Sequence, residues 1–213
     1  TDFDLVIWSA GETSTRDDSL LSSEMQALEE FLEQGGALLL SGAELGWDLV
    51  AHGDEGQVRF FHDVLQAEYL ADAGDGTMLM SADGGLVGAL PTLALDDGSH
   101  GRYRVEYPDV LSEGYGGWAE LLYGDGEVAA LSAVGPGGVF VAGFPLEALW
   151  PEQGRQQLLG SIISGFLGSK ETDSQVCGTA YPSYVIEEGE AGGLGRIARG
   201  EPMVRVVTGN GES

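Results

Sequence analysis

Residues 33–50, EQGGALLLSGAELGWDLV, decide the predicted fold. Two glycines end a helix, ALLL is a buried strand, Ser41 and Gly42 form a sharp turn, and a new helix follows. Upstream, residues 4–8 (DLVIW) predict another buried strand, and residues 20–34 (LLSSEMQALEEFLEQ) predict an amphipathic helix. Strand, helix and strand in this order predict a βαβ unit with a right-handed crossover, and therefore an α/β fold.

The remaining pattern predicts one large domain followed by an extension. Residues 58–70 (VRFFHDVLQAEYL) have helical periodicity, whereas residues 71–128 break into short strands and Asp-Gly or Gly-Gly turns, which indicates a β-rich insertion. Within this insertion, RYRVEY alternates like a half-buried strand. We predict an α/β domain over residues 1–168. Residues 169–213 form an extension whose apolar stretches, SYVIEE and MVRVV, belong either to a hairpin or edge strands or to a mobile tail.

The charge of the chain excludes several classes of partner. Nine Lys and Arg residues against 35 Asp and Glu residues give a net charge of -26. This field repels nucleic acid and anionic membrane surfaces, but it leaves cations, neutral sugars and basic peptides as partners. No apolar run approaches the roughly 18 residues of a membrane span. The single cysteine, Cys177, excludes a disulfide within the chain.

Four sequence blocks carry a family resemblance: DLVIWSAGE, GGALLLSGAELGWDL, FFHDVLQAEYLAD and VFVAGFPLEAL. They resemble the glutamine-amidotransferase-like domain of secreted bacterial cell-wall and polysaccharide hydrolases, in particular N-acetylmuramoyl-L-alanine amidases that also carry a golvesin-type domain. The resemblance implies a three-layer, flavodoxin-like sheet and a secreted or cell-envelope location. It also implies a strand and helix before DLVIW. We therefore expect the domain to lack its N-terminal strand-helix, with other domains or a second chain of the same precursor as partners.

The resemblance also bears on catalysis. Active class I glutamine amidotransferases place a cysteine on the strand-to-helix elbow, and a later strand carries a histidine closely followed by a glutamate. Here Ser41 and Gly42 occupy the elbow, Phe144 and Pro145 stand at the histidine position, and Glu147 stands near the glutamate position. The positions of the catalytic cysteine and histidine therefore hold residues of other types, and only the glutamate has a counterpart. We therefore predict a non-catalytic accessory or interaction domain.

A serine hydrolase and a ligand-binding module remain open as alternatives. In the first, Ser41 works with Glu44, His52 or His62, and Glu147 is a further weak candidate. In the second, a crevice at the carboxyl ends of the strands binds a ligand without chemistry. The crevice candidates are Glu12, Ser41, Gly42, Glu44, Trp47 and Asp48.

Two acidic loops raise the question of calcium, whose protein ligands are oxygen atoms. DAGDG contains Asp72 and Asp75, and LDDGSHG contains Asp96 and Asp97. Neither has the Glu of an EF-hand, and ordinary Asp-Gly turns explain both. We therefore predict no cofactor and keep calcium as an alternative.

Sugars are a second kind of ligand to consider, because aromatic rings stack on them. Trp8 and Trp47 lie near the crevice, so cell-wall glycan is a further candidate partner. The three histidines, His52, His62 and His100, lack the spacing of a zinc amidase. Any amidase activity therefore belongs elsewhere in a parent protein.

Overall fold

The computed structural model describes residues 3–13, 18–73 and 78–168. The calcium candidate Asp75, the lone Cys177 and the whole predicted extension, residues 169–213, lie outside the described residues. Within the described ranges, no helix has the length and apolar character that crossing a membrane requires.

Ten strands and three α-helices make up the described structure. The strands are β1 Leu5–Gly11, β2 Ala37–Gly42, β3 Glu68–Asp72, β4 Met78–Ser81, β5 Leu93–Leu95, β6 Asp109–Ser112, β7 Trp118–Tyr123, β8 Val128–Val134, β9 Gly138–Ala142 and β10 Leu149–Trp150. The α-helices are α1 Ser22–Glu33, α2 Glu55–Arg59 and α3 Glu152–Leu167. Two π-helical turns, Trp47–Ala51 and Phe60–Val64, and one 3-10 turn, Leu146–Ala148, complete the elements.

All ten strands join one mixed sheet. Its main path runs β1-β2-β9-β8-β7-β4-β5-β10, while β6 pairs with both β8 and β3 beside that path. β1, β2 and β9 are parallel, and every other pairing is antiparallel. The predicted βαβ unit is confirmed, because β1 and β2 are parallel neighbours joined through α1. The fold is therefore α/β with an antiparallel extension.

Both faces of the parallel strands are packed, which explains the uniformly apolar sequence of β2. Ala37 and Leu39 enter one core, to which α3 contributes, whereas Leu38 and Leu40 enter a second core, to which α1 contributes. Successive strand residues point to opposite faces, so a strand between two helical layers needs apolar side chains at every position.

Three predicted elements differ from the structure. The helix predicted over residues 58–70 gives way to β3, after a left-handed backbone at Gln66 (φ 55°), because EYLAD pairs with β6. The short helix predicted after the elbow is present at residues 45–51, but most of it is the π-helical turn Trp47–Ala51 and not α-helix. RYRVEY forms no strand among the described residues, and Arg104 makes only an isolated bridge to Asp97.

Candidate functional site

The elbow after β2 lies where the carboxyl ends of β1, β2 and β9 meet. Within the sheet, Ser41 of β2 pairs with Ser9 of β1 on one side and with Ala142 of β9 on the other. A Cβ atom on Gly42, the last residue of β2, would lie 2.9 Å from the Cβ atom of Ala10, so the close approach of β1 requires glycine here. Glu44 completes the turn with a left-handed backbone, φ 59°. The sequence therefore predicted the turn two residues too early, because Ser41 and Gly42 still belong to β2 and the turn lies at Ala43 and Glu44.

The Ser41 hydroxyl is only a weak candidate nucleophile. Its side chain is 1% exposed, and Oγ has no hydrogen-bond partner among the described residues. A serine nucleophile needs a base within hydrogen-bond distance. Neither predicted histidine supplies one: the ring of His52 contacts Trp47 at 4.3 Å between centroids, and the ring of His62 stacks on Tyr115 at 4.1 Å.

The faces of the sheet explain why His62 does not reach the elbow. Ser41 alternates with Leu40 and shares a face with Leu39, on the side of α3. His62 belongs to the π-helical turn whose Phe60 packs in the core on the opposite face. The sheet itself therefore separates the two side chains.

A buried carboxylate lies beside the elbow instead. Glu147, in the 3-10 turn after β9, is 5% exposed. Ser9 Oγ donates to its Oε2 at 3.1 Å, and Tyr103 Oη donates to its Oε1 at 2.6 Å. Arg155 of α3 donates to the Glu147 carbonyl oxygen at 2.7 Å. These bonds link β1, the loop before β6, the 3-10 turn and α3.

The network also has electrostatic consequences. Burial raises the pKa of the Tyr103 phenol, and the charge of Glu147 raises it further. Tyr103 is therefore a neutral hydrogen-bond donor at physiological pH. Both donors to the Glu147 carboxylate are hydroxyl groups, an arrangement that holds its side chain in place.

An acidic rim borders this network. Glu12 accepts a hydrogen bond from the Glu106 backbone N–H at 3.0 Å. Partial burial raises the pKa of Glu12, and the negative charges of Glu106, Glu147 and Glu44 raise it further. The carboxylates that follow β1 and β2 thus lie close enough to influence each other.

The other crevice candidates have structural contacts. Asp48 is buried and accepts the Ser19 backbone N–H at 2.7 Å, which anchors the loop before α1. Trp47 is half-buried against His52, and Trp8 is buried in the core beneath α1. Trp8 therefore offers no ring face to a sugar.

In the described part of the two calcium loops, the carboxylates that lie closest together already accept hydrogen bonds from nearby backbone N–H groups. Among the described residues, Asp96, Asp97 and His100 form the one group whose ligand atoms lie within 4.8 Å of one another. However, the Asp96 carboxylate already accepts backbone N–H groups from Gly98, His100 and Arg102 at 2.8–3.0 Å. Burial opposes ionisation of Asp96, but these hydrogen bonds outweigh it and lower its pKa.

The first calcium loop is described only in part. Asp72 is exposed at the end of β3 and accepts the Tyr69 hydroxyl at 2.9 Å. Its predicted companion Asp75 lies outside the described residues. The described contacts of both loops are those of ordinary turns and strand ends.

A buried acid beside the elbow was not predicted from the sequence. Asp109, the first residue of β6, is fully buried, and its Oδ2 accepts the Gly46 backbone N–H at 2.7 Å, just after the elbow. Its Oδ1 has no partner within the described part of the chain. Burial raises the Asp109 pKa well above the usual range. No local sequence signal marks this contact, which joins residues 63 positions apart.

We expect Glu147→Gln to lower the free energy of unfolding by about 1–2 kcal/mol, because the amide keeps one acceptor oxygen and replaces the other with a donor facing a hydroxyl group. Tyr103→Phe removes only the phenolic donor and should cost about 1 kcal/mol. Urea unfolding of both variants and of the double variant measures their coupling. Strictly additive losses would contradict a direct bond between the two side chains.

Comparison with known proteins shows a similarity of fold but no similar sequence family. No protein-family model and no curated protein sequence matches the chain. The structure superposes on part of the cold-adapted β-galactosidase from Rahnella sp. R3, with a TM-score of 0.53 and 14% sequence identity. The match covers 86% of this chain and 25% of the β-galactosidase chain. An exo-β-1,4-mannosidase from Opitutaceae bacterium strain TAV5 matches with a TM-score of 0.45 and 19% identity, over 77% of this chain and 25% of that chain.

Proposed function

We propose that this chain is a non-catalytic accessory or interaction domain of a larger, secreted hydrolase that acts on bacterial cell-envelope polymers. The observation that carries this proposal is the set of contacts that Ser41 and Glu147 make. Ser41 Oγ is buried without a hydrogen-bond partner among the described residues, and the adjacent Glu147 carboxylate is held by two hydroxyl groups. A buried serine without a base in hydrogen-bond reach among the described residues supports a non-catalytic role, because acyl transfer requires a nucleophile paired with a base.

The fold likeness supports an attached rather than a free-standing role. The chain spans about a quarter of the β-galactosidase that it resembles, so this fold recurs as one part of a longer polypeptide. A three-layer, flavodoxin-like architecture belongs to the same proposal, and the cores on both faces of β1, β2 and β9 support it. Likeness of fold does not transfer an activity, so the envelope assignment comes from the sequence resemblance.

The catalytic part of the proposal is tested by comparing the wild-type chain with Ser41→Ala. Both are assayed with p-nitrophenyl acetate, p-nitrophenyl β-D-galactoside and dye-labelled peptidoglycan. We expect neither protein to exceed the buffer rate with any substrate. Turnover by the wild-type chain that Ser41→Ala abolishes would establish the serine hydrolase alternative.

The same substitution has an expected effect on stability. Ser41→Ala removes a buried hydroxyl group that lacks a partner within the described chain, so the free energy of unfolding should stay equal or rise by about 1 kcal/mol. Ser132→Ala is the matched control, because Ser132 is also a buried strand serine but donates to Glu120 at 2.5 Å. We expect the control to lose about 1 kcal/mol in urea unfolding. Equal losses in both variants would mean that Ser41 has a bonded partner.

The envelope assignment has a separate test. An antibody against this chain is applied to the culture medium, envelope and cytoplasm of the native organism. We expect the signal in the medium or envelope, on a polypeptide longer than 213 residues. A cytoplasmic polypeptide would contradict the assignment, whatever the outcome of the activity assays.

A further inference from the structure

The outer edge of β1 lacks most of the protection that exposed strand edges usually have. β1 ends the sheet, and its one strand neighbour within the described residues is β2. Its seven residues, LVIWSAG, include no charge and no proline, and Leu5, Trp8 and Ala10 are buried. Natural edge strands are usually short, charged or interrupted. The single irregularity of β1 is a register shift between Ser9 and Gly11. β1 therefore has the sequence and burial of an interior strand.

The backbone groups that face this edge can be identified. The Asp4 carbonyl oxygen accepts the Ala37 N–H at 2.9 Å, so the even-numbered residues at the start of β1 bond to β2. Because consecutive residues of a strand direct their backbone groups to opposite sides, Leu5, Ile7 and Ser9 direct theirs to the open edge. The backbone N–H and C=O groups of these three residues can form a ladder of hydrogen bonds with one further strand.

The described chain ends where the parallel strands β1, β2 and β9 begin. α3 contacts β1, and a Cβ atom on Gly138, the first residue of β9, would lie 2.6 Å from the Phe166 ring. The chain thus leaves α3 at Gly168 beside the starting ends of the parallel strands. Residues 169–202 come before the stretch MVRVV. At about 3.3 Å per extended residue, this length is ample for MVRVV to reach any point along β1.

Electrostatic attraction also favours MVRVV as the neighbour of β1. Asp4 precedes β1, and Glu12, with Glu44 and Glu106 nearby, follows it. Residues 194–207, LGRIARGEPMVRVV, contain three arginines and one glutamate, in a chain whose net charge is -26. A basic segment is attracted to an acidic surface, whereas a second copy of this chain is repelled from it.

We propose that residues 203–207, which lie outside the described residues, add to the open edge of β1 as its second neighbour. Their backbone groups bond those of Leu5, Ile7 and Ser9, and Arg205 lies within reach of the acidic residues that flank β1. This pairing concerns the edge of the sheet and holds whether or not the parent protein is a hydrolase.

Amide hydrogen exchange of the full chain, followed residue by residue by NMR, tests this pairing. A double variant, Val204→Pro with Val206→Pro, removes two backbone donors from the proposed strand. We expect slow exchange at Leu5, Ile7 and Ser9 in the wild-type chain and at least about tenfold faster exchange in the double variant. Val6 and Trp8, which face β2, should be unchanged. The control Val185→Pro, in the other apolar stretch, should leave all five amides unchanged.

Either of two other exchange patterns would overturn the proposal. Fast exchange at Leu5, Ile7 and Ser9 in the wild-type chain would show an open edge. Slow exchange that the double variant does not alter would assign the edge to another partner. Sedimentation velocity at several protein concentrations then identifies a second copy if the chain dimerises.

Discussion

Replacing Glu120 with alanine is expected to lower the free energy of unfolding by about 3–5 kcal/mol. Glu120 lies in β7 and is completely buried. Its carboxylate accepts the backbone N–H groups of Leu86 and Val87 at 2.8 and 3.0 Å, and the Ser132 hydroxyl at 2.5 Å. Alanine leaves these three donors without their acceptor and opens a cavity, so several losses add at one position.

Two further variants separate these causes. Glu120→Gln keeps an acceptor and most of the volume, so it should lose roughly half as much stability. Glu127→Ala removes an exposed carboxylate from the turn after β7 and should change stability by less than about 0.5 kcal/mol. Urea unfolding gives all three values. If Glu120→Ala and Glu127→Ala unfolded at the same urea concentration, the hydrogen bonds to Glu120 would contribute nothing.

Asp109 is expected to make stability depend on pH. Burial raises its pKa in the folded state, and the charges of Asp72 and Glu44 raise it further. The folded chain therefore retains a proton that the unfolded chain loses near pH 4. The stability associated with this proton is fully present below about pH 4 and is lost as the pH rises through the folded-state pKa.

Asp109→Asn isolates this effect, because asparagine does not titrate in this range. Asparagine keeps an acceptor for the Gly46 N–H, although its amide group also places a donor at the site of the unpartnered Oδ1. We expect the variant to gain stability relative to the wild-type chain as the pH rises from 4 to 8, because only the wild-type chain loses the stability linked to the raised pKa of Asp109. Urea unfolding at each pH unit measures this gain. Parallel pH profiles would show that Asp109 does not titrate abnormally.

Local sequence was sufficient to predict β1, α1 and β2. Uniformly apolar DLVIW and ALLL predict strands packed on both faces, and the periodicity between them predicts α1, because these patterns depend on neighbours within one element. β3 was missed for the opposite reason. EYLAD continues a helical pattern, and only its pairing with β6, some 40 residues later, makes it a strand.

The candidate site was predictable only where turn chemistry determines it. The presence of a turn close to Gly42 and the acidic rim at Glu12 and Glu44 follow from residues at strand ends. The partners of Glu147 do not, since Ser9 and Tyr103 lie 138 and 44 residues away in the chain. Neither residue type, spacing nor periodicity indicates such pairs, because the fold alone brings them together.

The central claim is that the elbow contains no activated serine. The most direct measurement is labelling of the native chain with a fluorophosphonate, which reacts with activated serine hydroxyl groups, followed by intact-mass spectrometry. Since Ser41 Oγ is buried and unpartnered among the described residues, we predict no adduct on the wild-type chain. A stoichiometric adduct that Ser41→Ala eliminates would contradict this account and establish Ser41 as a nucleophile.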